Sequence, residues 1–307
     1  MGWACPRYLV CQDGGCLMSQ FETLCDAALA VLNAPDPADK IRLSTQAATD
    51  WRDGRIVLIG EQMPPDRPAR LDRPELRPPS AMPKRSKANS VAGRTALLHA
   101  LAHIELNAID LAWDVIARFS PMRDVPGQER GAEADTLPLT RAFFNDWVMV
   151  AADEARHHRL LQTRLEELGA NYGDLPAHDG LWESSMDTAH DVAARLAIVP
   201  MVLEARGLDV TPSMIDSLHR HEDPESARLL QIVHDDEINH VAVGWRWFDY
   251  VCAQRGLETI PTWQEMVRKY FRGQIKRPFN TLSRLKAGMA PEMYEPLANE
   301  PSVASSA

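Results

Sequence analysis

Four long stretches of the chain repeat apolar residues at intervals of three and four, the spacing of one face of an α-helix. The predicted helices run from Ser90 to Phe119, from about Thr140 to Gly169, from Leu181 to Arg206 and from Asp223 to about Gly256. The segments between them lack the alternating pattern of a strand. The sequence therefore predicts an all-α fold in which these four helices form a bundle.

The segments that flank the four helices are predicted to add structure outside the bundle. Prolines between positions 64 and 83 keep residues 55–88 extended, which predicts a strap on the bundle surface. Capping-box patterns predict a short helix after Ser19 and a C-terminal helix that begins at Thr262. The Thr211-Pro212 pair, following the stop signal Gly207, predicts a further short helix before the fourth long one.

These segments predict a domain organisation around one helical core. Four of the five cysteines lie in the first 25 residues, and their spacing matches no zinc or iron–sulfur pattern, so we expect an unstructured leader there. The expected regions are the leader over 1–18, N-terminal helices and the Pro-rich strap over 19–88, the bundle over 89–255, and a C-terminal helix and tail over 256–307.

A glutamate interrupts the apolar stripe of each long helix. Glu105 and Glu154 have apolar residues four and seven positions away on the same face, and Glu204 and Glu237 lie on comparable stripes. An isolated buried carboxylate is costly, so it takes up a proton or finds a positive partner. Four carboxylates that converge on one core therefore predict bound metal ions.

Two of these glutamates belong to a string that occurs twice, Asp153-Glu154-Ala155-Arg156-His157 and Asp236-Glu237-Ile238-Asn239-His240. Because residues i and i+3 share a helix face, the Glu and His of each string can hold the same ion. Oxygen and imidazole donors in this set favour iron or manganese, and four carboxylates balance two divalent ions. The predicted ligands are Glu105, Glu154, His157, Glu204, Glu237 and His240.

The order of these ligands resembles that of the ferritin-like di-iron superfamily. Longer stretches resemble an uncharacterised bacterial family, DUF455, and lie at residues 151–157, 172–174, 177–183, 202–212 and 278–280. The resemblance covers about residues 20–290. It implies a ferritin-like four-helix bundle with a long crossover connection, extra N- and C-terminal helices and two iron ions, or one iron and one manganese. It implies no substrate, since the family is defined by its domain.

Other residues are candidates for supporting roles around the metals. A ligating histidine usually donates its second ring N–H to a carboxylate, which suits Asp153 and Asp236, although each could equally form an ordinary salt bridge. His103 and His190 are further supporting candidates, and Glu183 competes with Glu204 as an inward-facing acid. Pro200, four residues before Glu204, removes one helical hydrogen bond and either opens room for a ligand or bends the helix.

Charge and hydropathy limit the partners of the chain. A formal net charge of -10 argues against binding a phosphate backbone as the main task. The longest uncharged apolar run in the middle of the chain, residues 196–203, is too short to span a bilayer, and the N-terminus lacks a secretory signal. We therefore expect a cytoplasmic protein with reduced thiols. A homodimer is compatible with the sequence.

Three functions remain open at this stage. The first is an O2-activating oxidoreductase, an oxygenase or oxidase, that acts on an unknown small organic molecule and takes electrons from an external donor. The second is a ferroxidase or metal-handling protein without an organic substrate, disfavoured by the long segments on both sides of the bundle. The third is a helical interaction module without metal, which would leave the buried carboxylates uncompensated.

Overall fold

The computed structural model describes residues 19–78, 81–82, 89–122 and 139–300, and most of these residues are helical. Extended pairing within them is limited to two isolated bridges, Thr23 with Leu58 and Leu76 with Ala177. The predicted all-α class is therefore confirmed. The predicted leader over 1–18 lies outside the described residues.

The helices are numbered in chain order. They are α1 Leu24–Leu32, α2 Pro37–Arg52, α3 Val91–Phe119, α4 Arg141–Glu167, α5 Gly180–Met186, α6 Val192–Ile198, α7 Ala205–Arg220, α8 Pro224–Gln254, α9 Thr259–Tyr270, α10 Thr281–Lys286 and α11 Pro291–Tyr294. The π-helical residues Val199–Glu204, hereafter the π segment, join α6 to α7 without a break.

Side-chain caps fix the starts of the long helices. Ser90 Oγ accepts a hydrogen bond from the Gly93 amide at 3.1 Å and begins α3. Asp223 caps α8 in the same way, and Pro224 occupies its first position, where a missing N–H costs nothing. The predicted first, second and fourth long helices are confirmed to within about two residues at their ends.

The third long helix differs from its prediction. Residues 181–191 form most of α5 and a turn, and the long helix begins after its cap, Asp191. It then continues through Gly207 to Arg220, so the predicted stop at Gly207 is wrong. A glycine that ends a helix usually adopts a positive φ, and Gly207 does not, so it remains within the helix.

Pro212 lies inside α7, so the predicted new helix at Thr211 is wrong as well. Proline cannot donate to the carbonyl four residues earlier, which here belongs to Leu208. That carbonyl instead accepts a hydrogen bond from Asn280 Nδ2 at 3.2 Å. The Asn280 side chain, distant in sequence, thus replaces the missing N–H of Pro212. Local sequence patterns cannot predict such a contact.

The two terminal capping boxes also shift. Thr23, not Ser19, caps α1 through a reciprocal pair with Asp26, while Ser19 Oγ donates to Asp50 at 2.6 Å. Helix α9 begins at Thr259 rather than at Thr262. Pro261 falls in its first turn, where a missing N–H is tolerated, so the helix can start earlier.

The long helices pack in a ring, with α3 against α4, α4 against α8, and α8 against α6, the π segment and α7. A fully buried ion pair between Arg195 of α6 and Asp114 of α3, 2.5 Å apart, closes the ring. Helices α1 and α2 cover α3 and α4, and α9 and α10 cover the other side. The connection over 168–191, which contains α5, crosses from α4 to α6.

A second face of α3 is buried although it is polar. Its residues are His99, His103, Asn107, Asp110 and Asp114, each at most 5% exposed. Lys40 Nζ donates to Asp110 at 2.8 Å, and Arg70 of the Pro-rich strap pairs with Asp110 and donates to Asn107 at 3.0 Å. A polar stripe normally faces solvent, so the sequence pattern alone does not indicate its burial. Here α2, the strap and Arg195 cover it.

The strap between 55 and 78 contains no helix and crosses the outside of the helices. Ala69 N donates to the Leu32 carbonyl at 2.8 Å, and Trp182 Nε1 donates to the Asp66 carbonyl at 2.9 Å. Among the described residues, no helix has both the length and the apolarity that crossing a membrane requires.

Gly244 lets α8 approach the π segment closely, which yields a first prediction. A Cβ at position 244 would lie 2.5 Å from Cβ and Cγ of Pro200, whose ring cannot rotate away. We expect Gly244→Ala to lower the free energy of unfolding by about 1–3 kcal/mol. Gly207→Ala is the control, because nothing lies within 4 Å and alanine favours a helix. Urea denaturation measures the free energy of unfolding of both variants. Equal values would show that the close approach of α8 to the π segment does not affect stability.

Candidate metal centre

Four helical segments bring the predicted ligands together. Glu105 comes from α3, Glu154 and His157 from α4, Glu204 from the end of the π segment, and Glu237 and His240 from α8. Glu105, Glu154, His157 and Glu237 each offer one donor atom within 4.8 Å of the others. The folded chain thus gathers donors from opposite ends of the sequence, although their role as ligands stays a prediction.

Glu154 lies between the two histidines. Its Oε1 is 2.9 Å from His240 Nδ1, and its Oε2 is 3.5 Å from His157 Nδ1. Glu105 Oε2 is 3.3 Å from His157 Nδ1, and Glu237 Oε1 is 3.6 Å from His240 Nδ1. Each histidine therefore faces two carboxylates, and Glu154 is common to both groups.

The two repeated strings support each other across the core. His157 Nε2 lies 2.9 Å from Asp236 Oδ2, and His240 Nε2 lies 3.4 Å from Asp153 Oδ2. The aspartate of each string therefore orients the histidine of the other one. Nδ1 of both rings is therefore directed at the carboxylates. In metal sites, a ligating histidine is likewise anchored through its second ring nitrogen.

The site leaves polar atoms without partners, which tests whether it fits metal ions. The buried atoms without a hydrogen-bond partner among the described residues include Glu105 Oε2, both Glu154 carboxylate oxygens, Glu204 Oε2, Glu237 Oε2 and Nδ1 of His157 and His240. Such atoms are rare in folded proteins and need an explanation. Adjacent donors on an octahedral ion with bonds near 2.1 Å lie about 3 Å apart, close to the spacing here. Glu105, Glu154, His157 and Glu237 thus form a group that could hold a metal ion.

Crowding of the carboxyl groups changes their pKa values. Burial, followed by the charge of Glu154, raises the pKa of Glu105 well above its usual range. Burial, followed by the charges of Glu237 and Glu154, also raises the pKa of Glu204 well above its usual range. Burial and the charge of Glu154 raise the pKa of Glu237. Burial acts against Glu154 as well, yet the charge of His240 holds its pKa below the ordinary value.

The pKa values of His157 and His240 are raised, whereas burial lowers the pKa of an isolated histidine. Burial alone would lower the pKa of His157, but the adjacent carboxylates of Glu105 and Glu154 raise it to about 11. The charges of Glu154 and Glu237 likewise outweigh burial and raise the pKa of His240 well above its usual value. Without metal, protons on these imidazoles supply the positive charge that the carboxylates require.

Burial varies across the cluster. The side chains of Glu154, His157 and His240 are completely buried. Glu237 is 13% exposed, and Glu204 is also partly exposed. These two acids, from the π segment and α8, are therefore the least buried of the six predicted ligands.

Two predicted supporting histidines lie elsewhere. His103 is two residues from Glu105, about 200° around α3, so it contacts Tyr172 and the His178 carbonyl instead of the cluster. His190 is exposed and contacts Tyr270, because it precedes the start of α6. The competing acid Glu183 is also exposed. For these three residues, the roles expected from an inward-facing helix position were wrong.

Arg156 is a residue that the sequence interpretation missed. Its Nη2 donates to Asp236 Oδ2 at 2.5 Å and to Asp153 Oδ1 at 3.3 Å, so it holds together the two aspartates that anchor the histidines. It occupies the fourth position of the first string, but Asn239 stands there in the second. The repeat therefore gave no signal for it.

The aspartate anchors lead to a second prediction. Asp236→Asn removes the charged acceptor of His157 Nε2, and loss of such a partner typically weakens metal binding about 10–100-fold. The exposed neighbour Asp235, which accepts from Gln231 at 2.9 Å, provides the control Asp235→Asn. Competition titration with a chelating dye measures both affinities. Equal affinities of the two variants would contradict an anchoring role for Asp236.

Comparison with known proteins places the site within a recognised family. The profile described as "Protein of unknown function (DUF455)" matches residues 33–295, a range that includes all six predicted ligands. An uncharacterized protein of Haemophilus influenzae is 38% identical over 281 residues, which cover 89% of this chain and 91% of the relative. No solved structure matches the chain.

Proposed function

The chain belongs to the DUF455 family, and on that premise we propose that it is a ferritin-like protein with a dinuclear metal centre that acts as an O2-dependent oxidoreductase on an organic molecule. In this proposal α3, α4, the α6–α7 helix and α8 are the four helices of a ferritin-like bundle, and residues 168–191 are its crossover. Iron, or iron with manganese, is the metal that suits the donors.

The observation that carries the proposal is the position of Glu154 between His157 and His240, the histidines of the two Glu-x-x-His pairs. Its two oxygens face Nδ1 of different histidines, as a carboxylate that bridges two ions would. Glu105 and Glu204 add one carboxylate each from the remaining two helices, which completes the donor set of carboxylate-bridged centres. Exposed acidic clusters are common without metals, but this one is largely buried, and several of its oxygens make no hydrogen bond to a described residue.

The chain's own residues perform the supporting work. Bound iron or manganese would supply the electron exchange with O2 that amino-acid side chains lack. Asp153 and Asp236 hold the rings of His240 and His157 so that Nδ1 faces inward. The packing of α3 and α4 keeps water away from Glu105, Glu154 and His157, and a substrate would approach from the side of the partly exposed Glu204 and Glu237.

Oxygen uptake tests the proposal against metal handling. Protein loaded anaerobically with Fe(II) is exposed to O2 in an oxygen electrode without any added substrate. An oxidoreductase that lacks its substrate is expected to stop after about one turnover per site, and a chemical reductant should restore the reaction. Continued uptake with excess Fe(II) and a mineral product would instead assign the site to iron handling.

Metal binding is expected to release protons, which is a third prediction. At pH 7 both His157, with a pKa of about 11, and His240 carry protons that a metal must displace. We expect about two or more protons released when both ions bind, so a fall of one pH unit should weaken the overall binding of the two ions by about 100-fold or more, which is about tenfold for each ion. Calorimetry in buffers of different ionisation enthalpy counts them. A pH-independent affinity would contradict the predicted protonation.

A further inference from the structure

A cleft lies beside the π segment on the side covered by the C-terminal region. Its cavity volume is about 200 Å³. Its apolar walls come from Leu181, Val202, Leu203, Phe271, Ile275 and Phe279. Leu203 directly precedes Glu204, so one wall of the cleft belongs to the same π segment that carries a predicted ligand.

The polar lining of the cleft is predominantly positive. Arg284 forms two hydrogen bonds with Asp209, at 2.8 and 2.7 Å, and Arg206 Nη1 lies 3.4 Å from the same carboxylate. Lys276 also lines the cleft, so three cations share one acid and positive charge remains in excess. This local excess of positive charge occurs in a chain with a formal net charge of -10.

Arg206 and Lys276 both have N–H groups that can donate to a ligand. Arg206 uses Nη1 to reach the carbonyls of Lys276 at 2.7 Å and Pro278 at 3.2 Å and Asp209 Oδ2 at 3.4 Å. Its Nε and Nη2 make no hydrogen bond to another described residue, and neither does the exposed ammonium of Lys276. A guanidinium with two such N–H groups suits the two oxygens of a carboxylate. An apolar cavity with a cationic edge therefore complements an organic anion.

We propose that this cleft binds a small organic carboxylate, with its hydrocarbon part between Leu203 and the Phe271 and Phe279 rings and its carboxylate on Arg206 and Lys276. The cavity would hold about seven water molecules at roughly 30 Å³ each, which limits the ligand to a short aliphatic or single-ring body. That this anion is the substrate rests on the proposed function. An apolar segment of another protein is the competing occupant, but it would leave the excess positive charge of the cleft uncompensated.

Calorimetry on the metal-free full chain tests the binding with two probes that have eight carbon atoms each and opposite charges, octanoate and octylammonium. We expect octanoate to bind at least about tenfold more tightly, because its charge matches that of the cleft. Equal binding of both probes would assign the cleft to apolar packing and overturn the proposal. Failure of octanoate to bind would overturn it as well.

Three variants locate the binding. Ile275→Trp fills the cavity and should abolish octanoate binding, whereas Lys276→Gln should weaken it about threefold to tenfold. Lys286→Gln, an exposed lysine on α10 outside the cleft, should leave it unchanged. Unaltered octanoate affinity in Ile275→Trp would overturn the proposal.

Metal loading of the same proteins separates this proposal from the proposed function. If octanoate fails to bind while two metals are held, only the cleft assignment fails. If octanoate binds but the chain holds no metal, the proposed function fails and the anion site stands.

Discussion

Glu154→Gln is expected to abolish the binding of both metal ions, the largest effect that we predict at the site. Glu154 faces His157 with one oxygen and His240 with the other, so one substitution disturbs both of the proposed ion positions. Loss of a partner that only orients a ligand costs about 10–100-fold in affinity, and loss of a shared ligand should cost more than about 100-fold. Competition titration with a chelating dye gives the affinities.

Folding and metal binding can be separated in this experiment. Glu105→Gln provides a second variant, because the raised pKa of Glu105 means that its carboxyl favours a proton without metal, and glutamine resembles the protonated form. It should fold like the parent and still lose metal affinity. The exposed Glu166, on the same helix as Glu154, gives the control Glu166→Gln. Retention of two tight metal ions in Glu154→Gln would contradict the bridging position.

Arg195→Met is expected to lower the free energy of unfolding of the metal-free protein by about 3–5 kcal/mol. Arg195 is fully buried and donates to Asp114 at 2.5 Å, to Thr188 Oγ1 at 3.1 Å and to the Ser185 carbonyl at 2.8 Å. Its removal leaves a buried carboxylate with less compensation and frees α6 from α3. Because α6 leads directly into the π segment, Glu204 should lose its fixed position.

Arg118 provides the matched control for this ion pair. It also binds Asp114, at 2.8 Å, but it is 14% exposed and lies on the same helix as its partner. Arg118→Met leaves the Arg195–Asp114 pair intact and should cost only about 1 kcal/mol. Urea denaturation measures the free energy of unfolding of both variants. Equal losses would show that the Arg195–Asp114 pair contributes no more to stability than the Arg118–Asp114 pair.

Periodicity and the repeated string were sufficient to predict the helical class and three of the four long helices that carry the site, while the third began and ended later than predicted. A glutamate on an apolar stripe must point inward wherever the helix packs, so Glu105 and Glu154 could be identified without coordinates. The anchoring aspartates were also open to prediction, because each precedes a Glu-x-x-His pair. Their pairing across the core, Asp236 with His157 and Asp153 with His240, follows from the repeat.

Features that depend on distant contacts were not predictable. The helix continues past Pro212 because Asn280, far along the chain, satisfies the Leu208 carbonyl. His103 looked like a residue of the cavity, yet it belongs to a polar face of α3 that the strap and the Tyr172 loop bury. Local patterns report which face of a helix is apolar, but not which polar face another segment will cover.

The metal content of the full-length protein tests the central claim most directly. Protein loaded with Fe(II) under anaerobic conditions and freed of excess metal is analysed for iron, manganese and zinc, beside Glu154→Gln treated in the same way. The claim predicts about two metal ions per chain in the parent protein and almost none in the variant. A parent protein without metal, or a variant with the same content as the parent, would contradict it.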